Sequence, residues 1–120
     1  MITGRVDESG RALVPITVIA GDGRRVELEV WIDTGFTGEL VLSEPQVANL
    51  PASQSGTVSA ELGDGSSVIL NTYSCRIEWF GQELMIEVVS NKGSFPLLGV
   101  GLLNGHELMI DYEAKTASVY

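Results

Sequence analysis

Cysteine and histidine are the scarcest reactive residues of this sequence, with one of each among 120 residues. The lone Cys75 excludes a disulfide within the chain and a metal cluster built from thiolates. The lone His106 excludes a Ser-His-Asp or Cys-His site within one chain. We interpret Cys75 as a small buried hydrophobic residue, with a redox switch as the less favoured alternative.

Long apolar runs are also missing, and basic residues are few. No apolar run reaches the roughly 18 residues of a membrane-spanning helix, and the first residues lack the basic-then-apolar pattern of a secretory leader. We therefore expect a cytoplasmic protein. Seven Lys and Arg against sixteen Asp and Glu give a formal net charge of −9. This charge disfavours phosphates and anionic lipid, so neither nucleic acid nor a membrane is an expected partner.

No group of residues has the spacing of a metal or cofactor site. Four glutamates alternate with apolar residues, which is typical of the solvated face of a sheet rather than of a set of metal ligands. These residues are Glu27, Glu29, Glu83 and Glu87. We expect neither a metal nor an organic cofactor.

The residues that are present suit one small domain over residues 1–120. Hydrophobic residues make up 44% and charged residues 19%, which is sufficient for a packed core. Fourteen glycines separate short apolar runs. This pattern is typical of strands joined by tight turns, so the predicted class is all-β.

The strand pattern is clearest where apolar and polar residues alternate over residues 25–32, after a turn at Gly21-Asp22-Gly23. A second hairpin is predicted at Gly63-Asp64-Gly65. Ser43 and Pro45 resemble a helix start for a short turn through Leu50. One short helix is expected before Gly105. The predicted strands cover residues 2–6, 12–20, 25–32, 40–42, 57–62, 66–77, 83–89, 108–112 and 116–120.

The strongest candidate for chemistry is Asp33-Thr34-Gly35. An acidic residue directly after an apolar strand is costly if it is buried and unpaired, so its position needs a reason. The Thr hydroxyl can lock the loop by hydrogen bonding, and the Gly lets backbone approach the carboxylate. An ordinary turn is the alternative interpretation of these three residues.

A second element, Leu97-Leu98-Gly99 followed by Leu102-Leu103, strengthens the functional interpretation. This element forms a series of motifs in a fixed order along the chain, together with Asp33-Thr34-Gly35, the run Leu40-Val41-Leu42 and the glycine-tipped hairpin. Over nearly its whole length the chain resembles the retropepsin-like aspartic proteases, especially the short single-lobe bacterial members. The resemblance implies a single-lobe closed barrel with one short helix that forms a symmetric homodimer. An unrelated small β-barrel is the alternative.

The sequence departs from the retroviral pattern of that family at one ion pair. Phe36 occupies the position of a small residue, Gly38 and Glu39 lie near the position of an Asp, and Val100 replaces an Arg. Both partners of the retroviral ion pair are missing together. The resemblance therefore does not extend to the retroviral way of stabilising the dimer or of recognising substrate ends. The catalytic triplet is intact.

Peptide hydrolysis by acid–base catalysis needs one carboxylate to take a proton from water and a second, protonated one to polarise the amide. One chain offers a single candidate, Asp33. Two carboxylates about 3 Å apart cannot both ionise, so Asp33 and its copy would share a proton across a two-fold axis. We therefore predict an aspartic endopeptidase that acts on peptides or proteins as a homodimer. The alternative is a catalytically silent module of the same fold that binds peptides or dimerises.

The family resemblance also assigns individual roles. Asp33, Thr34 and Gly35 would be catalytic, with Thr34 bonded across the two-fold axis and Gly35 exposing backbone to substrate. Phe36 either lines a specificity pocket or fills the space under the loop. Trp31 is expected to pack in the core or an interface, with a wall of the substrate site as the alternative. The terminal strands either interleave between subunits or pair within one chain. The residues predicted to bind substrate are Gly35, Phe36, Leu98 and the flap residues Gly63, Asp64 and Gly65.

Overall fold

The computed structural model describes residues 1–120. Ten strands and two short helices follow one another along the chain. In chain order they are β1 (Ile2–Val6), β2 (Ala12–Ile19), β3 (Arg25–Ile32), β4 (Leu40–Ser43), α1 (Glu44–Ala48), β5 (Ser53–Glu61), β6 (Ser67–Trp79), β7 (Gln82–Asn91), β8 (Leu97–Leu98), α2 (Val100–Leu103), β9 (Leu108–Asp111) and β10 (Thr116–Val119). The all-β class predicted from the sequence is confirmed.

All ten strands belong to one sheet, in the order β5-β6-β7-β4-β8-β3-β2-β1-β10-β9. An additional pairing between β2 and β6 closes part of this sheet on itself. The closed part is a ring of six strands, β2, β3, β8, β4, β7 and β6. Strand β5 extends the sheet on one side of the ring, and β1, β10 and β9 extend it on the other.

Strand β2 changes partner along its length, and the sequence is adapted to the change. It pairs with β1 at Leu13 and Ala12 and with β6 from Thr17 onward. Pro15 lies between these segments, where its missing N–H removes no ladder hydrogen bond. Gly4 of β1 approaches β2 so closely that any side chain there would collide with the backbone of Leu13.

The core consists of 21 buried residues enclosed by the sheet. The predicted alternation of β3 is confirmed, because Val30 and Ile32 are buried while Glu29 and Trp31 are exposed on the opposite face. Glu29 pairs there with Arg5 at 2.8 Å. Cys75 belongs to the core, as predicted, and burial raises the pKa of its thiol.

The structure contains a second short helix in addition to the one predicted. Helix α1 begins after Ser43, whose hydroxyl accepts a hydrogen bond from the Gln46 backbone N–H at 3.3 Å. The Gln46 side chain accepts one in return from the Ser43 backbone N–H at 2.9 Å. This capping box completes the start signal that the sequence had suggested only for a turn. Neither helix has the length and apolar character needed to cross a membrane.

Within one chain the terminal strands pair with each other, which is the local pairing that the sequence left open as one alternative. Strand β1 runs antiparallel to β10, from Ile2 opposite Val119 to Arg5 opposite Thr116. Strand β10 also pairs with β9 and contributes the buried Ala117 and Val119 to the core. The C-terminal segment is therefore a structural part of each single chain.

Candidate active site

Asp33 begins the loop that follows β3. Its backbone N–H donates a hydrogen bond to the carbonyl oxygen of Leu98 at 2.9 Å, which continues the parallel pairing of β3 with β8. Its carboxylate Oδ1 accepts a hydrogen bond from the Gly35 backbone N–H at 2.9 Å. A Cβ on Gly35 would lie only 3.2 Å from that oxygen. The close approach expected of a glycine at this position is thus present, and it orients the carboxylate.

A cavity of about 400 Å³ lies beside this carboxylate. Its walls are formed by Trp31, Ile32, Asp33, Thr34 and Leu97. Asp33 is half-buried, whereas Thr34 and Gly35 are exposed. One ionisable side chain, the exposed Thr34 and three apolar side chains therefore meet at one opening.

The loop from Asp33 to Glu39 is fastened to the segment that starts α2. The Gly99 N–H donates to Glu39 O at 3.0 Å, the Val100 N–H to Phe36 O at 2.9 Å, and the Gly101 N–H to Gly38 O at 2.9 Å. The Glu39 carboxylate also accepts a hydrogen bond from the Glu87 N–H of β7 at 3.0 Å. Hydrogen bonds of the backbone thus hold the loop at the place where the retroviral pattern has an ion pair.

Phe36 lies under the loop rather than in the cavity beside Asp33. Its ring is in contact with Gly38 and Gly99 at the positions where their side chains would be. It is not among the residues that line the cavity. Of the two interpretations left open by the sequence, the structure favours the one in which Phe36 fills space.

Leu98 and its neighbour Leu97 point in opposite directions. Leu98 has 0% of its surface exposed and belongs to the core, so its side chain is not available to a ligand. Leu97 lines the cavity instead. Successive side chains of a strand alternate between faces, and the pairing of β8 with β3 decides which face is which. The sequence predicted Leu98 as a substrate-binding residue, whereas its neighbour Leu97 is the one that lines the cavity.

Trp31 is 39% exposed at the edge of the cavity, so it does not belong to the core, and its expected place in an interface stays a prediction. Its ring meets Phe95 edge to face, with 6.2 Å between centroids. The guanidinium of Arg11 lies 4.2 Å from the centroid of Phe95 and is bonded to Asp7 at 2.7 Å. Hydrogen bonds from the backbone and side chain of Arg11 lower the pKa of Asp7, although partial desolvation opposes them.

The predicted flap is the long hairpin of β5 and β6, with Gly63, Asp64 and Gly65 at its tip. The Leu62 N–H donates to Ser66 O at 2.7 Å, and the Ser66 N–H donates to the Asp64 carboxylate at 2.9 Å. The Ser66 hydroxyl and N–H together lower the pKa of Asp64. None of the three tip residues lines the cavity beside Asp33. Within one chain, the structure brings Asp33 together with Thr34 and Leu97 but not with the hairpin tip.

A larger cavity of about 530 Å³ lies elsewhere, where β1 and β6 diverge from β2. Its walls include Pro15, Glu27, Glu78 and Phe80. Glu78 is bonded to Arg25, so it is committed to a surface ion pair. This cavity contains no residue of the Asp33 loop, and the smaller cavity remains the better candidate for catalysis.

No protein-family model matches the sequence, and no curated protein matches it either. Solved structures do match. The EIAV protease complexed with the inhibitor HBY-793 has a TM-score of 0.64 and 17% identity over 81% of this chain and 88% of that chain. A retropepsin-like aspartic protease from Rickettsia conorii has a TM-score of 0.63 and 15% identity over 96% of this chain and 86% of that one. These similarities show that the chain has the retropepsin-like fold, as its sequence resemblance predicted.

Proposed function

We propose that this protein is an aspartic endopeptidase, active as a homodimer in which Asp33 and its copy form the catalytic pair. The observation that carries the proposal is the position of Asp33 on a retropepsin-like fold. Its carboxylate accepts the Gly35 N–H and borders an open cavity with apolar walls. An acidic group at such a place is expected to act on a bound substrate rather than to stabilise the fold.

The proposed reaction needs two carboxylates that share one proton. The ionised carboxylate takes a proton from a water molecule, and the water oxygen bonds to the carbon of the scissile amide. The protonated carboxylate transfers its proton to the amide oxygen, which gives a neutral tetrahedral diol. Collapse of this diol breaks the C–N bond: the carboxylate protonated in the first step gives its proton to the leaving nitrogen, and the other carboxylate takes a proton from a diol hydroxyl, which restores the starting state.

A second copy of the chain is the proposed source of the second carboxylate. Asp33 is the single ionisable residue among those that line the cavity. Thr34 and Gly35 are exposed next to it, so a second loop has room to approach. A two-fold axis beside Asp33 would place identical groups opposite each other without any further residue.

The proposed substrate is an extended peptide with apolar side chains near the cleaved bond. Trp31, Ile32 and Leu97 form the apolar walls beside Asp33. The β5–β6 hairpin offers Val58 and Leu70 as cross-strand partners on one face. Closure of this hairpin, led by Gly63, Asp64 and Gly65, would cover the peptide and exclude water.

The first experiment compares cleavage of an unfolded protein by the wild type and by Asp33→Asn at acid and neutral pH. We expect the variant to lose cleavage, because an amide cannot take a proton from water. Asp22→Asn is the matched control, since Asp22 is an exposed turn residue bonded to Arg24. Equal cleavage by the wild type and Asp33→Asn would refute the assignment. Peptide binding without cleavage by the wild type would favour the silent module.

A second experiment mixes wild type and Asp33→Asn subunits in equal amounts and lets them exchange. If each active pair needs two Asp33 residues, only about a quarter of the dimers keep a complete pair. If each chain works alone, the mixture keeps about half of the activity of wild type at the same total protein concentration. Activity per chain should also fall on dilution, as dimers dissociate.

A further inference from the structure

The ring of Phe36 occupies room that Gly38 and Gly99 leave free, and Gly101 leaves room for the backbone of Gly38. A Cβ on Gly99 would lie 2.5 Å from Cδ2 of this ring and 2.6 Å from the Phe36 carbonyl oxygen. A Cβ on Gly38 would lie 2.8 Å from Cε1 of the same ring. A Cβ on Gly101 would lie 2.8 Å from the Gly38 carbonyl oxygen. Atoms do not approach so closely, so the loop and the start of α2 fit together only because these positions lack side chains.

Phe36 also lies at the centre of the hydrogen bonds that hold the loop. Its carbonyl oxygen accepts the Val100 N–H at 2.9 Å, and its own N–H donates to Asp33 O at 3.2 Å. The ring and the carbonyl group are thus both anchored on the segment from Gly99 to Val100. A residue anchored at two points has little freedom to rotate its backbone.

This anchoring reaches the carboxylate through one residue. Gly35 precedes Phe36 directly, and the Gly35 N–H is the donor that orients Oδ1 of Asp33. Gly35 is exposed and has no side chain, so nothing of its own holds its peptide planes in place. Phe36 is the nearest residue along the loop that packs against another segment.

We infer that Phe36 is a positioning residue, which fixes the Gly35 N–H and thereby the orientation of the Asp33 carboxylate. The expected loss of activity in Phe36 variants rests on the proposed function. The expected loosening of the Asp33 loop does not. Phe36 does not reach the cavity, so its removal should leave substrate contacts in place. Loss of the ring should misalign the carboxylate, and misplacement of a catalytic group by about 1 Å can reduce the rate 100-fold.

The test compares Phe36→Ala and Phe36→Leu with Phe80→Ala. Phe80 is the matched control, because it is a partly buried ring that stacks on His106 at 4.3 Å and contacts Trp79 outside the loop. For Phe36→Ala we expect kcat to fall about 10- to 100-fold with KM within about twofold of the wild type, and a changed pH profile of kcat/KM. Phe36→Leu should recover part of kcat, because it keeps apolar bulk against Gly99. Phe80→Ala should lower the melting temperature without changing kcat.

Amide hydrogen exchange provides a readout that does not depend on activity. The Gly35 and Val100 amides should exchange faster in Phe36→Ala than in the wild type, and they should be unchanged in Phe80→Ala. If Phe36→Ala does not fold, Phe36→Leu takes its place in both measurements. An active wild type with unchanged kcat, pH profile and amide exchange in the Phe36 variants would overturn the inference. Faster exchange in a protein whose wild type is inactive would refute the proposed function and leave the positioning role standing.

Discussion

The Asp33 loop and the tip of the β5–β6 hairpin have similar compositions and opposite surroundings. Both contain an Asp within two residues of a Gly, and both Asp carboxylates accept a backbone N–H two residues later, from Gly35 and from Ser66. Around the Asp33 loop, a Cβ on Gly38 or Gly99 would collide with Phe36. At the hairpin tip, a Cβ on Gly63 would meet no atom within 4 Å.

The difference shows two separate uses of glycine in one chain. In the Asp33 loop, glycine permits close approach of two segments, which fixes the group expected to do chemistry. At the hairpin tip, Gly65 has a φ of 86°, so glycine there satisfies the geometry of a tight turn. A fixed loop and an unsupported hairpin are what a site needs if one part aligns atoms and the other admits substrate.

The largest expected effect separates the two aspartates. Asp33→Asn should reduce peptide cleavage at least about 100-fold, because it removes the group that accepts the proton. Asp64→Asn should have a much smaller effect, since Asp64 is bonded to Ser66 within its own turn. Steady-state cleavage of a peptide and thermal unfolding are measured for both variants. A comparable loss of activity in Asp64→Asn would mean that the hairpin tip takes part in the chemistry.

The next largest effect is a difference in stability between the base of the hairpin and its outer part along β6. Ile77 is 0% exposed in the core, whereas Ile69 is 67% exposed. Ile77→Ala should lower the free energy of unfolding by about 2–5 kcal/mol through loss of burial and a cavity. Ile69→Ala should change it by less than about 0.5 kcal/mol. Chemical denaturation tests both variants, and similar losses would show that the outer hairpin is also packed in solution.

A smaller effect is expected from adding one methyl group to a glycine of each region. Gly99→Ala should cost about 1–3 kcal/mol of stability, because its Cβ meets the backbone of Gly38 and the ring of Phe36. Gly63→Ala meets open space and should stay within about 0.5 kcal/mol of the wild type. Denaturant midpoints decide this comparison. Equal midpoints for the two variants would contradict the tight fit of the loop.

The smallest expected effect concerns acid pH. Hydrogen bonds lower the pKa of Asp7 and of Asp64 below 3.8. The stabilisation from each group is therefore complete above the unfolded pKa and is lost as pH falls through the lowered folded pKa. Asp7→Asn should weaken the acid dependence of the melting temperature more than Asp64→Asn. The side chain of Asp7 is only 10% exposed and pairs with Arg11, whereas Asp64 bonds to a neutral hydroxyl and a backbone amide. A larger change in Asp64→Asn would reverse the comparison.

Much of the local structure was predictable from particular residues. The alternation in β3 gave its exact bounds, Arg25–Ile32, because the period of two reflects a sheet with one buried face. Gly63-Asp64-Gly65 correctly predicted the turn of the long hairpin. The approach of Gly35 to the Asp33 carboxylate also follows from local chain geometry. In each case the deciding contacts are close in sequence.

Other features could not be predicted because the contacts that decide them are distant in sequence. The pairing of β8 with β3 and β4 places Leu97 at the cavity and Leu98 in the core. The exposure of Trp31 depends in the same way on which face of β3 the ring of strands encloses. Sequence periodicity shows that two faces exist, but it does not show what covers the outer one.

The sequence by itself determined most of the strands, the turns and the acidic triplet, since these depend on residue order over short distances. The order of its motifs along the whole chain also indicated the likeness to a known fold. The tertiary structure alone decided that β1 pairs with β10 of the same chain, that β2 passes from β1 to β6 near Pro15, and that the Phe36 ring lies on Gly38 and Gly99. The physical reason is that each of these arrangements depends on the room left by a segment elsewhere in the chain. Such room exists only once the sheet has closed.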